Sequence, residues 1–76
     1  MFEQFSRITK ALGSANRLQL LELLAQGERS VETLARLTGM SVANTSRHLQ
    51  QLRIAGMVHS RKEGLYVHYQ ISGGGV

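Results

Sequence analysis

Along this chain the apolar positions recur first at helical and then at strand spacing. Phe2, Phe5, Ile8 and Leu12 lie three and four residues apart, one stripe of a helix that Gly13 stops. Ser14 caps a second segment, where Leu18, Leu21, Leu24 and Ala25 form an apolar face widened by Leu20 and Leu23 and ended by Gly27. So broad a face predicts a central, largely buried helix. Ser30 caps a third, short helix, with Glu32 favourably placed in the first turn, Val31, Leu34, Ala35 and Leu37 apolar, and a stop near Gly39. Ser41 caps a fourth, in which Val42, Thr45, Leu49 and Leu52 keep the i, i+3, i+7, i+10 pattern as far as Gly56. Only a few residues around Gly39 and Met40 separate the last two, the tight spacing of a helix-turn-helix.

After Gly56 the period changes to two. Leu65, Val67, Tyr69 and Ile71 alternate with Tyr66, His68 and Gln70, a half-buried strand, and Val58 to Lys62 supplies its antiparallel partner. With Glu63-Gly64 as a two-residue turn, Lys62 faces Leu65, Ser60 faces Val67, Val58 faces Tyr69, and the apolar side chains share one side. The expected fold is mainly α with a small β-hairpin (α+β): four helices followed by two strands. Residues 1–72 form the domain, and residues 73–76, with Gly73-Gly74-Gly75, form a flexible tail.

At 76 residues the chain holds one core. It is 42% hydrophobic but only 5% aromatic, so that core is aliphatic. There is no cysteine, which excludes a disulfide or a thiolate metal site. The apolar runs fall far short of the ~20 residues that span a bilayer, and no basic-then-apolar leader opens the chain; a soluble, cytoplasmic protein without a membrane partner is expected. The net charge is +4, unevenly spread: residues 1–32 carry four basic and four acidic side chains, and residues 33–76 carry five basic and one acidic. A one-sided basic surface points to nucleic acid as partner.

Turning the apolar stripe of the fourth helix inward leaves Ala43, Asn44, Ser46, Arg47, Gln50 and Gln51 on or near the outside. Small, amide, hydroxyl and guanidinium groups are what base edges in a major groove require: Arg pairs with guanine, Asn or Gln with adenine, and methyl groups meet thymine. At the hairpin tip Arg61, Lys62 and Gly64 are candidates for phosphate contact, which positions a protein without specifying sequence.

The run Ala11-Leu12-Gly13, Arg17-Leu18, Leu34-Ala35, Gly39-Met40-Ser41, Ser46-Arg47-His48-Leu49, Leu52, Ala55-Gly56-Met57-Val58, Arg61, Gly64 and Tyr69 resembles the ArsR/SmtB-type bacterial regulators over residues from about 5 to 72. The segment from Ser46 to Leu49, with Leu52 and Ala55-Gly56, is the part most specific to that family. The resemblance implies a winged helix-turn-helix, in which the hairpin is the wing, working as a homodimeric repressor that leaves an inverted-repeat operator on double-stranded DNA when a metal or other signal binds. By position it sets Val42, Ala43, Ser46 and Arg47 towards the groove and Arg61 to Gly64 at the wing. The chain departs from the pattern in three places. Val42 and Ala43 stand where polar residues are commoner, the cysteine pair of many members is missing between Val31 and Leu37, and the chain stops at Val76, where a helix pairing with helix one across the dimer is expected. The sequence therefore reads as a domain of a longer protein or a minimal member.

Of the three histidines, His48 belongs to the family signature and is expected to pack or meet a phosphate. His59 and His68 face each other in the register above and are weak metal candidates; with no third ligand nearby, no metal and no cofactor are expected. An enzyme is excluded: no nucleophile sits beside a general base, no carboxylate pair is spaced for acid–base work, and no glycine loop precedes a helix. The alternative function is a winged-helix protein-interaction module without specific DNA binding.

Overall fold

The computed structural model describes residues 15–72. Within them lie α1 (Ala15–Leu24), β1 (Arg29–Ser30), α2 (Val31–Thr38), α3 (Val42–Ile54), β2 (Val58–Glu63) and β3 (Tyr66–Ile71). The expected first helix on Phe2, Phe5, Ile8 and Leu12, the Ser14 cap and the tail 73–76 lie outside the described residues. The described residues thus hold three helices where four were expected along the chain, and the sheet has three strands where two were expected.

Each helix–turn boundary has a local cause. Ser30 Oγ accepts the Thr33 amide at 3.1 Å, and Ser41 Oγ accepts the Asn44 amide at 3.1 Å, so the two expected N-caps among the described residues satisfy donors that the first turn leaves unpaired. α2 ends where Gly39 takes φ 76° and gives its amide to Ala35 O at 2.9 Å. Such a left-handed residue is readily adopted by glycine, and it turns the chain into α3 within three residues. α1 is closed differently: Arg29 Nε donates to Leu23 O at 3.2 Å and Arg29 Nη2 to Gln26 Oε1 at 3.1 Å.

The core gathers Leu20, Leu24, Val31, Leu34, Leu49, Leu52, Val58 and Tyr69, with Leu21, Leu23, Met40, Met57, Val67 and Ile71 packed against it. Thr45 is also fully buried, and its hydroxyl donates to Ser41 O at 2.8 Å, which removes the penalty of an unpaired buried group. In α1 the buried line runs through Leu20 and Leu24, while Leu18 stays 48% exposed. The leucine-rich segment therefore offers more apolar positions than one face can bury, and α2 and α3 cover only one side. Leu37, read in sequence as one of the apolar positions of its helix, is likewise exposed at the end of α2.

The sheet order is β1-β3-β2, all antiparallel. β1 pairs Arg29 with Tyr69 and Ser30 with His68, a two-residue strand too short to leave a periodic signal in sequence. β2 and β3 pair Val58 with Ile71, Ser60 with Tyr69, Lys62 with Val67 and Glu63 with Tyr66, so the turn is Gly64-Leu65 and not Glu63-Gly64. Gly64, at φ 61°, occupies the first central position of the loop, where both favoured hairpin turns need positive φ. That shift moves every cross-strand partner by two residues, which preserves which face each side chain occupies. Its one casualty is Leu65, expected on the core side and found 92% exposed at the tip.

Candidate nucleic-acid interface

α3 divides cleanly. Thr45, Leu49 and Leu52, spaced four and three apart, are buried, whereas Ala43, Arg47, Gln50 and Ile54 form an exposed stripe at spacings of four, three and four. Val42, placed at the head of the inward apolar pattern by sequence, is instead 48% exposed in the first turn; Gln51 is exposed beside the stripe, and Asn44 and Ser46 are half-buried at its flank. All seven residues assigned to this helix in sequence as base-facing candidates are therefore at least partly accessible. Ser41, Ala43, Asn44 and Arg47 line an open depression of about 320 Å³ at the start of the helix. α3 has no acidic residue in its first turn, so the partial positive charge of its N-terminus is left uncompensated.

Side-chain contacts pre-order this face. Arg47 Nη2 donates to Asn44 Oδ1 at 2.9 Å, Asn44 Nδ2 reaches Met40 Sδ at 3.5 Å, and Gln50 Nε2 donates to Ser46 Oγ at 3.4 Å. Arg47 pairs with no carboxylate among the described residues. Its guanidinium is an available fork of donors. Behind the stripe, Arg17 Nε on α1 donates to His48 Nδ1 at 3.1 Å, which ties α1 to α3 and requires the ring to be unprotonated at Nδ1. Burial, then the charges of Arg17 and Arg47, holds the His48 imidazole below its ordinary pKa.

The wing carries a different arrangement. Arg61 donates from Nε to Glu28 Oε2 at 2.9 Å and from Nη2 to Glu28 Oε1 at 2.8 Å. Its Nη1 lies 3.3 Å from Glu63 Oε1, which in turn lies 3.6 Å from His68 Nε2. The hydrogen bond from Arg61 lowers the Glu28 pKa, and the same bond raises that of Arg61. Lys62 is exposed on β2 and makes no ion pair among the described residues.

His59 and His68 do not face each other. In the observed register His59 sits opposite Gln70 and His68 opposite Arg61, because the turn begins one residue later than expected. The Gln70 side-chain amide meets His59 Nε2 at 2.6 Å, and Ser72 Oγ lies 3.3 Å from His59 Nδ1. Among the described residues no three His, Cys, Asp or Glu side chains are grouped to hold a metal ion. Sequence reasoning missed Glu28 and Arg17. Each meets its partner across more than thirty residues, and β1, which carries Glu28 to the sheet, has no signature of its own.

Residues 14–60 match the model of the bacterial regulatory protein arsR family, and the chain belongs to that family. It is 47% identical over 73 residues to the HTH-type transcriptional regulator Rv0324 of Mycobacterium tuberculosis, covering 96% of this chain and 32% of that protein. It is 38% identical over 65 residues to the transcriptional activator HlyU of Vibrio cholerae, covering 86% of this chain and 60% of HlyU. The chain thus spans less than two thirds of these relatives' length. Its fold matches, with a TM-score of 0.80 and 47% identity, the solution structure of the homodimeric winged helix-turn-helix DNA-binding domain (fragment 1–100) of Mb0332 from Mycobacterium bovis, a possible ArsR-family transcriptional regulator; 95% of this chain and 67% of that one are covered. The architecture, α2-turn-α3 followed by a β2–β3 wing, is a winged helix. No helix among the described residues is long and apolar enough to cross a membrane.

Proposed function

We propose that this chain is the DNA-reading domain of a transcriptional regulator, placing the outward stripe of α3 in the major groove of double-stranded DNA. The observation that carries this reading is the helix itself. One face is locked in the core by Thr45, Leu49 and Leu52; the other presents Arg47, unpaired with any described carboxylate, among amide, hydroxyl and methyl groups. Arg47 would read guanine, Asn44, Gln50 and Gln51 would address adenine edges or backbone, Ser46 would hydrogen-bond either, and Val42 and Ala43 would lie against thymine methyls. Lys62 and the Gly64 turn would meet phosphates from the wing.

In this reading the domain works as a two-fold dimer, repressing transcription from an inverted-repeat operator and catalysing no reaction. The homodimeric state of the M. bovis domain, at 47% identity, supports the symmetry. A two-fold pair of reading helices requires half-sites about one helical turn, ~34–36 Å, apart.

The test is selection of bound sites from a randomised duplex pool at near-physiological salt, which suppresses the purely electrostatic binding that any basic domain shows. Enrichment of an inverted repeat with one-turn spacing is expected. Binding at low salt with no enriched sequence would sink the reading.

A further inference from the structure

Arg61 would be the obvious phosphate ligand on the wing, yet every nitrogen of its guanidinium already faces a carboxylate. Nε and Nη2 form a two-pronged bond to Glu28 at 2.9 and 2.8 Å, and Nη1 lies 3.3 Å from Glu63. With all its donors facing Glu28 and Glu63, the Arg61 guanidinium has its charge offset locally and no free edge to offer a phosphate. The planar fork of arginine matches a carboxylate in this bidentate form, which fixes direction as well as distance.

The position of the fork in the sheet gives it a purpose. Ser30, His68 and Arg61 form one row across β1, β3 and β2, and Glu28 lies immediately before β1. The bond therefore reaches across the central strand, from the residue that leads into β1 to β2. β1 runs directly into α2, the first helix of the helix-turn-helix, while β2 carries the projecting wing. Glu28 keeps only 27% of its side-chain exposure, so solvent screens the pair less than it would a freely exposed one.

We propose that Arg61 is a positioning residue: clasped by Glu28 and braced by Glu63, it holds the wing at one orientation to the helix-turn-helix and leaves Lys62 as the wing's phosphate-binding cation. Its consequence for DNA rests on the reading proposed above; the clasp itself does not. The clasp acts beyond the hairpin's core anchors Val58 and Tyr69, towards the tip, where the side chains are solvent-facing.

The experiment compares Glu28→Gln, Arg61→Ala and the charge swap Glu28→Arg with Arg61→Glu in the full chain. Two readouts are used: amide hydrogen exchange of residues 61–67 without DNA, and affinity for the duplex recovered by selection as a function of salt. Each single variant is expected to speed wing exchange roughly two- to fivefold, the range of an exposed to half-shielded ion pair, and the swap to restore it. Both singles should weaken duplex binding to a similar extent without changing its salt slope, whereas Lys62→Ala should lower that slope by about 0.9. The proposal is overturned if Glu28→Gln leaves wing exchange unchanged, if the swap fails to restore it, or if Arg61→Ala lowers the salt slope by about 0.9. Should no duplex be selected, the DNA reading falls, and the exchange measurements still decide the clasp on their own.

Discussion

Arg47 and Arg61 are the same side chain in the same basic half of the chain, and the fold gives them opposite surroundings. Arg47 stands on the outward stripe of α3 with Asn44 Oδ1 as its partner and no carboxylate facing it among the described residues, on a helix whose other face is buried. Arg61 stands on a thin hairpin between Glu28 and Glu63. A count of charges treats them as equal contributors to a polyanion-seeking surface. Local partners separate them: the first guanidinium faces no carboxylate among the described residues, and the second is clasped between Glu28 and Glu63. The helix-turn-helix is held by packing, and the hairpin is held by packing at Val58 and Tyr69 and by strand pairing and ion pairs nearer its tip.

That contrast is testable in descending order of effect. Leu49 is 0% exposed and joins α3 to the shared core, so Leu49→Ala should cost ~2–5 kcal/mol in urea unfolding. A loss below about 1 kcal/mol would remove the packed platform from the comparison. Arg47→Ala should weaken binding to a selected duplex by ~1–3 kcal/mol and relax base preference at one position of each half-site, as a repeated selection would reveal. If Arg61→Ala relaxed a base position instead, the two roles would be reversed. Ser41→Ala removes the cap on the Asn44 amide and should lower stability by ~0.5–2 kcal/mol, read in the same unfolding assay. An unchanged midpoint would mean that the turn before α3 is held by Gly39 and packing alone.

The smallest effect expected is a pH dependence through His48. Burial, with Arg17 and Arg47 close by, depresses its pKa in the folded chain, so the unfolded chain takes up the proton first. The native contribution is therefore present above the ordinary histidine value of about 6.5 and is lost progressively as pH falls below it. Unfolding followed from pH 8 to pH 5 should show a steeper decline in the wild type than in His48→Asn, which keeps an uncharged polar group at that position. Equal slopes would detach the Arg17–His48 contact from stability.

Much of this was legible in the chain because it is local. Ser30 and Ser41 are capping residues placed just before apolar runs, Gly39 marks the turn, and the stripe of Thr45, Leu49 and Leu52 determines which side of α3 faces out. The accessible residues of that helix followed at once. Strand alternation likewise assigned the faces of the hairpin correctly even with the turn placed one residue early, since a two-residue change of partner preserves parity. What the pattern failed to choose was which leucines of α1 lie inside. Six apolar positions on one helix exceed any single face, and only the placement of α2 and α3 selected Leu20 and Leu24 over Leu18.

Sequence by itself, then, determined both ends of α2, the start of α3 and its outward face, the two-residue period of the wing and the excess of positive charge in the second half. Each depends on residues within a turn or two of one another, where backbone propensity, capping and periodicity act. Tertiary structure alone decided that Arg29-Ser30 would join the sheet, that Arg61 would be clasped by Glu28, that Arg17 would reach His48, and that His59 and His68 would be parted. These contacts join residues distant along the chain, and their existence depends on register and on how helices seat against the sheet. A difference of one residue in a turn is enough to exchange one set of partners for another.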